Sequence, residues 1–391
     1  MHIGILIPTL YKGGAEKIAG ELSFFLPNDW KITFILFEHK IEYPYRGDVV
    51  VLNIPIRADP ITIIRAVIKT KNIVKNRSID ILLSFDEISA VVASLSLNKS
   101  VITIHKSLKF ADMSKSHIKR FASFIGRKIY SHSPAIVGVS KGICNELINY
   151  VGINADKVYM IYNGHRIDEI RQKSKLYINE RGLPNWFYKG GFIINVGRLS
   201  HQKGQWHLIR AFKKVVSEVP NAKLLIVGRG ELYNLLVNLI NRLGLEENVF
   251  IFNGRFESIY PVLSKSLFVV LSSIFEGLPN IMIESFALGK PVVSTNCRYG
   301  PAEIMEKDYS YVGPTDYGYL TSPLDGAIKE NQPLTQEESL LADAILFMLN
   351  KMRNKSFVNK IKNLTMKRSE DFDISKSVDE YIKLIKLVAS T

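Results

Sequence analysis

The chain has 391 residues, 47% of them hydrophobic, and 51 Lys and Arg against 37 Asp and Glu give a formal charge of +14. That length exceeds what one hydrophobic core usually fills and points to two domains, while two cysteines outside any CxxC or His-rich setting exclude a disulfide framework. No apolar run approaches the ~20 residues of a spanning helix and the start lacks a cationic leader, so a cytoplasmic protein with an anionic partner is expected.

The first expected strand, His2 to Ile7, runs into Tyr11-Lys12-Gly13-Gly14-Ala15-Glu16. Paired glycines after a strand let the backbone approach an anion, and the following helix presents its amides; a Gly-Gly pair alone is more often an ordinary tight turn. Further strands are expected at Lys31 to Phe37, Val49 to Leu52, Ile79 to Ser84, Ser100 to Ile104 and Ala135 to Val139. The run Ser100 to Ile104 puts His105 at a strand's carboxyl end, where ligands bind in parallel sheets, although strand-end histidines also serve as packing residues.

Between Lys99 and Lys128 stand Lys99, Lys106, Lys109, Lys115, Lys119, Arg120, Arg127 and Lys128 against one acid, Asp112. Interleaved Phe110, Met113, Ile118, Phe121, Phe124 and Ile125 make Lys109 to Tyr130 amphipathic. Solvated helix faces, nucleic acid and anionic lipid compete for such a stretch. No nucleic-acid module accompanies the charge, and the apolar interleaving favours a membrane surface.

Strand-like runs give way to polar residues between Arg166 and Lys189, which suggests domains at 1–168 and 169–374, with 375–391 returning to the first. Strands resume at Phe192 to Val196, Lys223 to Val227, Val249 to Phe252, Leu267 to Leu271 and Pro291 to Ser294. Alternation of strand and helix twice over implies two parallel sheets covered on both faces. The first of these strands ends in Asn195-Val196-Gly197-Arg198-Leu199-Ser200-His201-Gln202-Lys203-Gly204, where a diphosphate would meet fixed cations and amide donors. Val227-Gly228-Arg229-Gly230 lacks the third glycine of a dinucleotide loop, which makes an oxidoreductase remote.

After Leu267 to Leu271 comes Ser273-Ile274-Phe275-Glu276-Gly277-Leu278-Pro279-Asn280-Ile281-Met282-Ile283-Glu284, followed by Ala287, Gly289 and Pro291-Val292-Val293. Glu276 falls in the loop and Glu284 in an early turn of the next helix, whose amides and dipole would suit a phosphate while both carboxylates accept bonds from hydroxyls. Two glutamates at that spacing are weak evidence; the whole string resembles the signature of glycosyltransferase family 4, retaining enzymes of GT-B fold. The resemblance implies an α/β chain of two Rossmann-like domains with parallel sheets facing across a cleft, and a C-terminal helix crossing back to the N-terminal domain.

By the same resemblance, Arg198 and Lys203 hold the donor diphosphate and stabilise the leaving group, and Glu284 binds the ribose hydroxyls. Glu276 contacts the donor sugar with backbone around Leu278, Asn280 and Ile281, and His105 hydrogen-bonds sugar hydroxyls rather than acting as a base. Gly13, Gly14, Gly230 and Arg255, the last in Phe252-Asn253-Gly254-Arg255, border the donor. Cys297-Arg298-Tyr299-Gly300-Pro301-Ala302-Glu303-Ile304 is similar to a subgroup that extends lipopolysaccharide or polyprenyl-diphosphate-linked glycans. The expected reaction is therefore retaining transfer of a hexose or N-acetylhexosamine from a UDP-sugar to a lipid-linked glycan at the inner face of the membrane. A catalytically idle scaffold homologue and a GT-B sugar-nucleotide epimerase are the alternatives.

No metal or other cofactor is expected, because the one Asp-x-Asp, Asp371-Phe372-Asp373, sits near the end and reads as a solvated turn before a last helix at Asp379 to Ala389. A second basic stretch, Ala344 to Ser369, has seven Lys and Arg and no acid.

Overall fold

Long apolar runs without polar alternation are what strands covered on both faces require. The computed structural model describes residues 1–11, 13–57, 59–113, 116–178, 180, 182–254, 256–329 and 332–390. It divides into Met1–His165 with Phe372–Thr391, and Arg166–Asp371.

Among the described residues the first unit has seven strands: β1 (His2–Ile7), β2 (Lys31–Leu36), β3 (Asp48–Val51), β4 (Ile81–Ser84), β5 (Ser100–Ile104), β6 (Ala135–Gly138) and β7 (Val158–Met160). They pair in the order β3-β2-β1-β4-β5-β6-β7, all parallel. On one face Ile18, Ala19 and Leu22 of the helix Gly14–Phe25 pack with Val378, Tyr381, Leu384, Ile385 and Val388 of the helix Ile374–Ser390. The last helix thus completes the core of the first unit. It starts before the expected Asp379 because the Asp373 carboxylate accepts from the Ser375 amide at 3.0 Å and the Ser375 hydroxyl at 2.6 Å. Right-handed crossovers place the helices Pro60–Arg77, Glu87–Ser96 and His117–Tyr130 on the other face, packed side by side in that order.

The second unit repeats the plan with β8 (Ile193–Val196), β9 (Leu224–Val227), β10 (Val249–Phe252), β11 (Phe268–Leu271), β12 (Val292–Thr295), β13 (Gly313–Thr315) and β14 (Gly318–Thr321). Their order is β10-β9-β8-β11-β12-β14-β13, parallel except for the β13–β14 hairpin. The expected strands appear in both sheets, with ends shifted by at most two residues. Strands β7, β13 and β14 are additions that the hydrophobic pattern does not announce. In each sheet strand order reverses between the first and fourth strands, β1 and β4 or β8 and β11, the point beyond whose carboxyl ends open α/β sheets bind their ligands.

The Asp371-Phe372-Asp373 turn is only partly solvated. Phe372 is buried, Asp371 pairs with Arg368 at 2.8 Å, and the His165 amide donates to the Phe372 carbonyl at 2.9 Å. Of the second basic stretch, Arg368 is structural, donating to the carbonyls of Ile304 and Glu303 at 2.9 and 3.0 Å, while Lys351, Arg353, Lys355, Lys360, Lys362 and Lys367 are exposed. Among the described residues no helix is long and apolar enough to cross a membrane.

Candidate functional site

In the second unit two loops leave adjacent strands at the reversal point, and short-range bonds lock them together. Gly204 has φ +58, and a Cβ there would lie 2.3 Å from the Ser272 carbonyl. The Ser272 hydroxyl donates to the Lys203 carbonyl at 2.9 Å, and the Ile274 amide to the Gln202 carbonyl at 2.8 Å. Between the strands beneath, the Asn195 side-chain amide donates to Val270 at 2.8 Å.

This framework brings Lys203 to Glu276. Lys203 Nζ donates to Glu276 Oε1 at 2.6 Å, the Ser273 hydroxyl donates to the same oxygen at 2.7 Å, and Gln202 Nε2 reaches Oε2 at 3.4 Å. Glu276 is 6% exposed, so its charge rests on these three donors. Arg198 is exposed at the loop's outer edge, and its guanidinium donates to Gln202 Oε1 at 3.3 Å. Sequence reasoning singled out Arg198, Lys203 and Glu276 but gave no role to Gln202 and Ser273, although both lie inside the quoted motifs.

Glu284 is buried on the helix Asn280–Ala287. That helix follows Pro279 and has no side-chain N-cap, and the helix Gln205–Glu218 starts uncapped at Gly204. Both present first-turn amides beside the ion pair. Leu278 is buried at the mouth of the first, with Asn280 and Ile281 half-buried. Gly230 supports the cation loop: a Cβ there would stand 2.2 Å from the Leu199 carbonyl, and one at Gly228 1.9 Å from the Gly197 carbonyl. Arg255 lies outside the described residues.

The segment around Cys297 braces the Glu276 loop. The Glu276 amide donates to the Arg298 carbonyl and the Tyr299 amide to the Glu276 carbonyl, both at 3.1 Å. Gly300, at φ +102, leaves room for Pro279, whose Cδ would be 2.6 Å from a Cβ. Cys297 is buried, and burial pushes its thiol pKa well up, leaving it unreactive.

In the first unit the helix Gly14–Phe25 begins at Gly13 without a side-chain cap, and the Glu16 carboxylate folds back over the space a Gly13 Cβ would need. Gly14 is exposed in its first turn. His105 follows β5, stacked on Phe85 with centroids 5.6 Å apart, beside Asn163. Burial lowers its pKa to about 4 against the opposing effect of Asn163, so the imidazole is neutral and offers one donor and one acceptor. Lys109 to Tyr130 forms two helices, Leu108–Met113 and His117–Tyr130. Phe121, Phe124 and Ile125 are exposed, but Arg127 is buried against Asp112 at 2.5 Å, with Glu87 at 3.3 Å, and belongs to the core rather than to the basic surface.

Residues 12–169 match the family model described as Glycosyltransferase Family 4, and residues 179–325 the one described as Glycosyl transferases group 1. The chain belongs to glycosyltransferase family 4. An uncharacterized glycosyltransferase of Methanocaldococcus jannaschii is 39% identical across 59% of this family 4 chain; the match spans 58% of that relative's length. The N-acetylgalactosamine-N,N'-diacetylbacillosaminyl-diphospho-undecaprenol 4-alpha-N-acetylgalactosaminyltransferase of Campylobacter jejuni is 27% identical over 98% of this chain and 99% of its own. Among solved structures, Anabaena HepE in complex with UDP and glucose superposes with a TM-score of 0.71 at 18% identity, covering 99% of both chains. The two parallel-sheet Rossmann-like units are those of the GT-B fold.

Proposed function

We propose that the chain moves a hexose or N-acetylhexosamine from a UDP-sugar, with retention and without a metal, to a hydroxyl of a membrane-lipid-linked glycan. The observation that carries this reading is the Lys203–Glu276 pair at the β8–β11 reversal, between two uncapped helix N-termini. Lys203 and Arg198 are assigned to the diphosphate, Glu284 to the ribose hydroxyls, and Glu276 to the sugar. His105, neutral, is assigned to hydrogen-bonding sugar hydroxyls.

No described carboxylate is assigned as a nucleophile. The bond from the anomeric carbon to the diphosphate oxygen breaks as the acceptor oxygen attacks the same face, and the acceptor's proton passes to a phosphate oxygen. The cations stabilise the charge that develops on the leaving group, the task a divalent ion performs elsewhere. UDP is supported by its presence in the Anabaena structure, and a polyprenyl-diphosphate acceptor by the name of the Campylobacter relative. Exposed Phe121, Phe124 and Ile125 among Lys119, Arg120 and Lys128 support contact with an anionic membrane surface and peripheral placement there.

The test is a panel of UDP-, GDP-, ADP- and dTDP-sugars in EDTA, read first as thermal shift and then as transfer to a polyprenyl-diphosphate glycan. A shift with UDP-sugars and transfer in EDTA is the expected result. Turnover that EDTA abolishes and magnesium restores would remove the metal-free reading. Donor inversion without acceptor would replace transfer by epimerisation, and binding without turnover would make the chain an idle homologue.

A further inference from the structure

The helix Pro60–Arg77 is apolar on its outer side as well as its inner one, where Ile63, Val67, Ile73 and Val74 are half-buried. Its buried residues are Thr62, Ala66 and Thr70, whereas Ile61, Ile64 and Ile68 are 71%, 58% and 55% exposed. At 3.6 residues per turn these isoleucines project from the side opposite those buried residues. A single exposed isoleucine needs no explanation, but three in one line form a patch of the kind that marks an interaction surface. Exposed Arg65, Lys71 and Lys75 share that side, and no acidic residue occurs from Pro60 to Arg77.

This helix is the outer member of the layer that ends in His117–Tyr130, with Glu87–Ser96 between them. The far helix exposes Phe121, Phe124 and Ile125 among exposed Lys119, Arg120 and Lys128, again with no acid in its span, and the middle helix exposes Leu95. All three run back from the carboxyl edge of the sheet. Ile61 to Ile68 and Phe121 to Ile125 both fall in the first three turns, within about 12 Å of that edge at ~1.5 Å per residue. With neighbouring axes ~8–10 Å apart, the two apolar lines are about 20 Å apart at equal depth.

We propose that this three-helix face is a bilayer-docking surface and that Pro60–Arg77 is its second contact, with the isoleucines at the acyl boundary of an anionic leaflet and Arg65, Lys71 and Lys75 among its headgroup phosphates. The proposal rests on the reading of a membrane-lipid-linked acceptor and extends its contact from one helix to two. One line of contact leaves the unit free to roll about a helix axis; two parallel lines remove that freedom and hold the edge bearing His105 at a set height above the lipid. A second copy fits this face less well, because a twofold pairing would set the same lysines and arginines against themselves.

The full chain is co-sedimented with phosphatidylcholine vesicles with and without phosphatidylglycerol. The wild type is expected to bind only the anionic vesicles, and Ile61→Ser/Ile64→Ser/Ile68→Ser to bind them at least about tenfold more weakly, with its UDP-induced thermal shift retained. Ile64→Trp should shift its emission to the blue on those vesicles. Unchanged binding of the triple variant, where Phe121→Ser/Phe124→Ser abolishes it, would overturn the proposal in favour of a single helix. Equal binding to neutral vesicles, or a solution dimer that the triple variant dissociates, would overturn it as well. Transfer to the acceptor in detergent micelles reads the acceptor assignment without any vesicle, so the two readings fail separately.

Discussion

Lys203 Nζ stands 2.6 Å from Glu276 Oε1, joining side chains 73 residues apart in the chain. The two loops that carry them leave neighbouring strands at the reversal of strand order, so the pair is a product of topology as much as of motif. Removing Lys203 leaves a carboxylate that is 6% exposed, with Ser273 and Gln202 as its donors among the described residues.

Lys203→Ala should therefore cost about 2 kcal/mol of stability, less than a fully buried pair loses because the lysine keeps some solvent contact, and about 100-fold in turnover. Lys203→Met with Glu276→Gln should recover most of the stability and none of the turnover. Urea unfolding and UDP-sugar turnover, measured on the same preparations, separate the two effects; full activity in the double variant would remove the pair from the site.

Glu284→Gln keeps the shape of a buried helical side chain but removes its charge. If it accepts bonds from ribose hydroxyls, UDP affinity should fall about tenfold or more while the melting temperature of the free protein changes little. Calorimetric titration with UDP is the check, and unchanged affinity would move Glu284 out of the donor site.

Gly228→Ala places a methyl 1.9 Å from the Gly197 carbonyl, a backbone collision that no side-chain rotation relieves. A loss of ~1–3 kcal/mol is expected, together with weaker donor binding as the Arg198 loop shifts. Gly244→Ala supplies the contrast: its φ is +62 with nothing within 4 Å of the Cβ, so it should cost about 1 kcal/mol and leave donor affinity unchanged. Equal donor affinity in both variants would show that the cation loop does not depend on this packing.

Burial pushes the His105 imidazole down to about 4 in the folded chain from an ordinary 6.5, so the unfolded state binds the proton first as pH falls. Stability is fully present above pH 6.5 and drains away down to about pH 4, by at most about 3 kcal/mol from this group. His105→Gln should flatten that part of the profile of urea midpoints. An identical slope in the variant would show that the imidazole is not held neutral by burial.

By itself the sequence determined the strands covered on both faces, because burial on two sides demands long apolar runs, and the loops at their carboxyl ends, because Gly, Arg, Lys and Glu gather there in motifs. The string from Ser273 to Val293 led to the family, and its glutamates fall in the loop and early helix turn that chain order required. It could not announce β7, β13 or β14, three or four residues each and, in Gly313–Thr315, rich in turn formers, whose strand character comes from pairing with a neighbour already in place. Only the tertiary structure joined Lys203 to Glu276, since that meeting depends on β8 lying beside β11. It alone turned Thr62, Ala66 and Thr70 inward and Ile61, Ile64 and Ile68 out: periodicity marks a helix's apolar side, but the neighbouring elements decide which side is covered, and in Pro60–Arg77 the close-packed position went to the smaller residues.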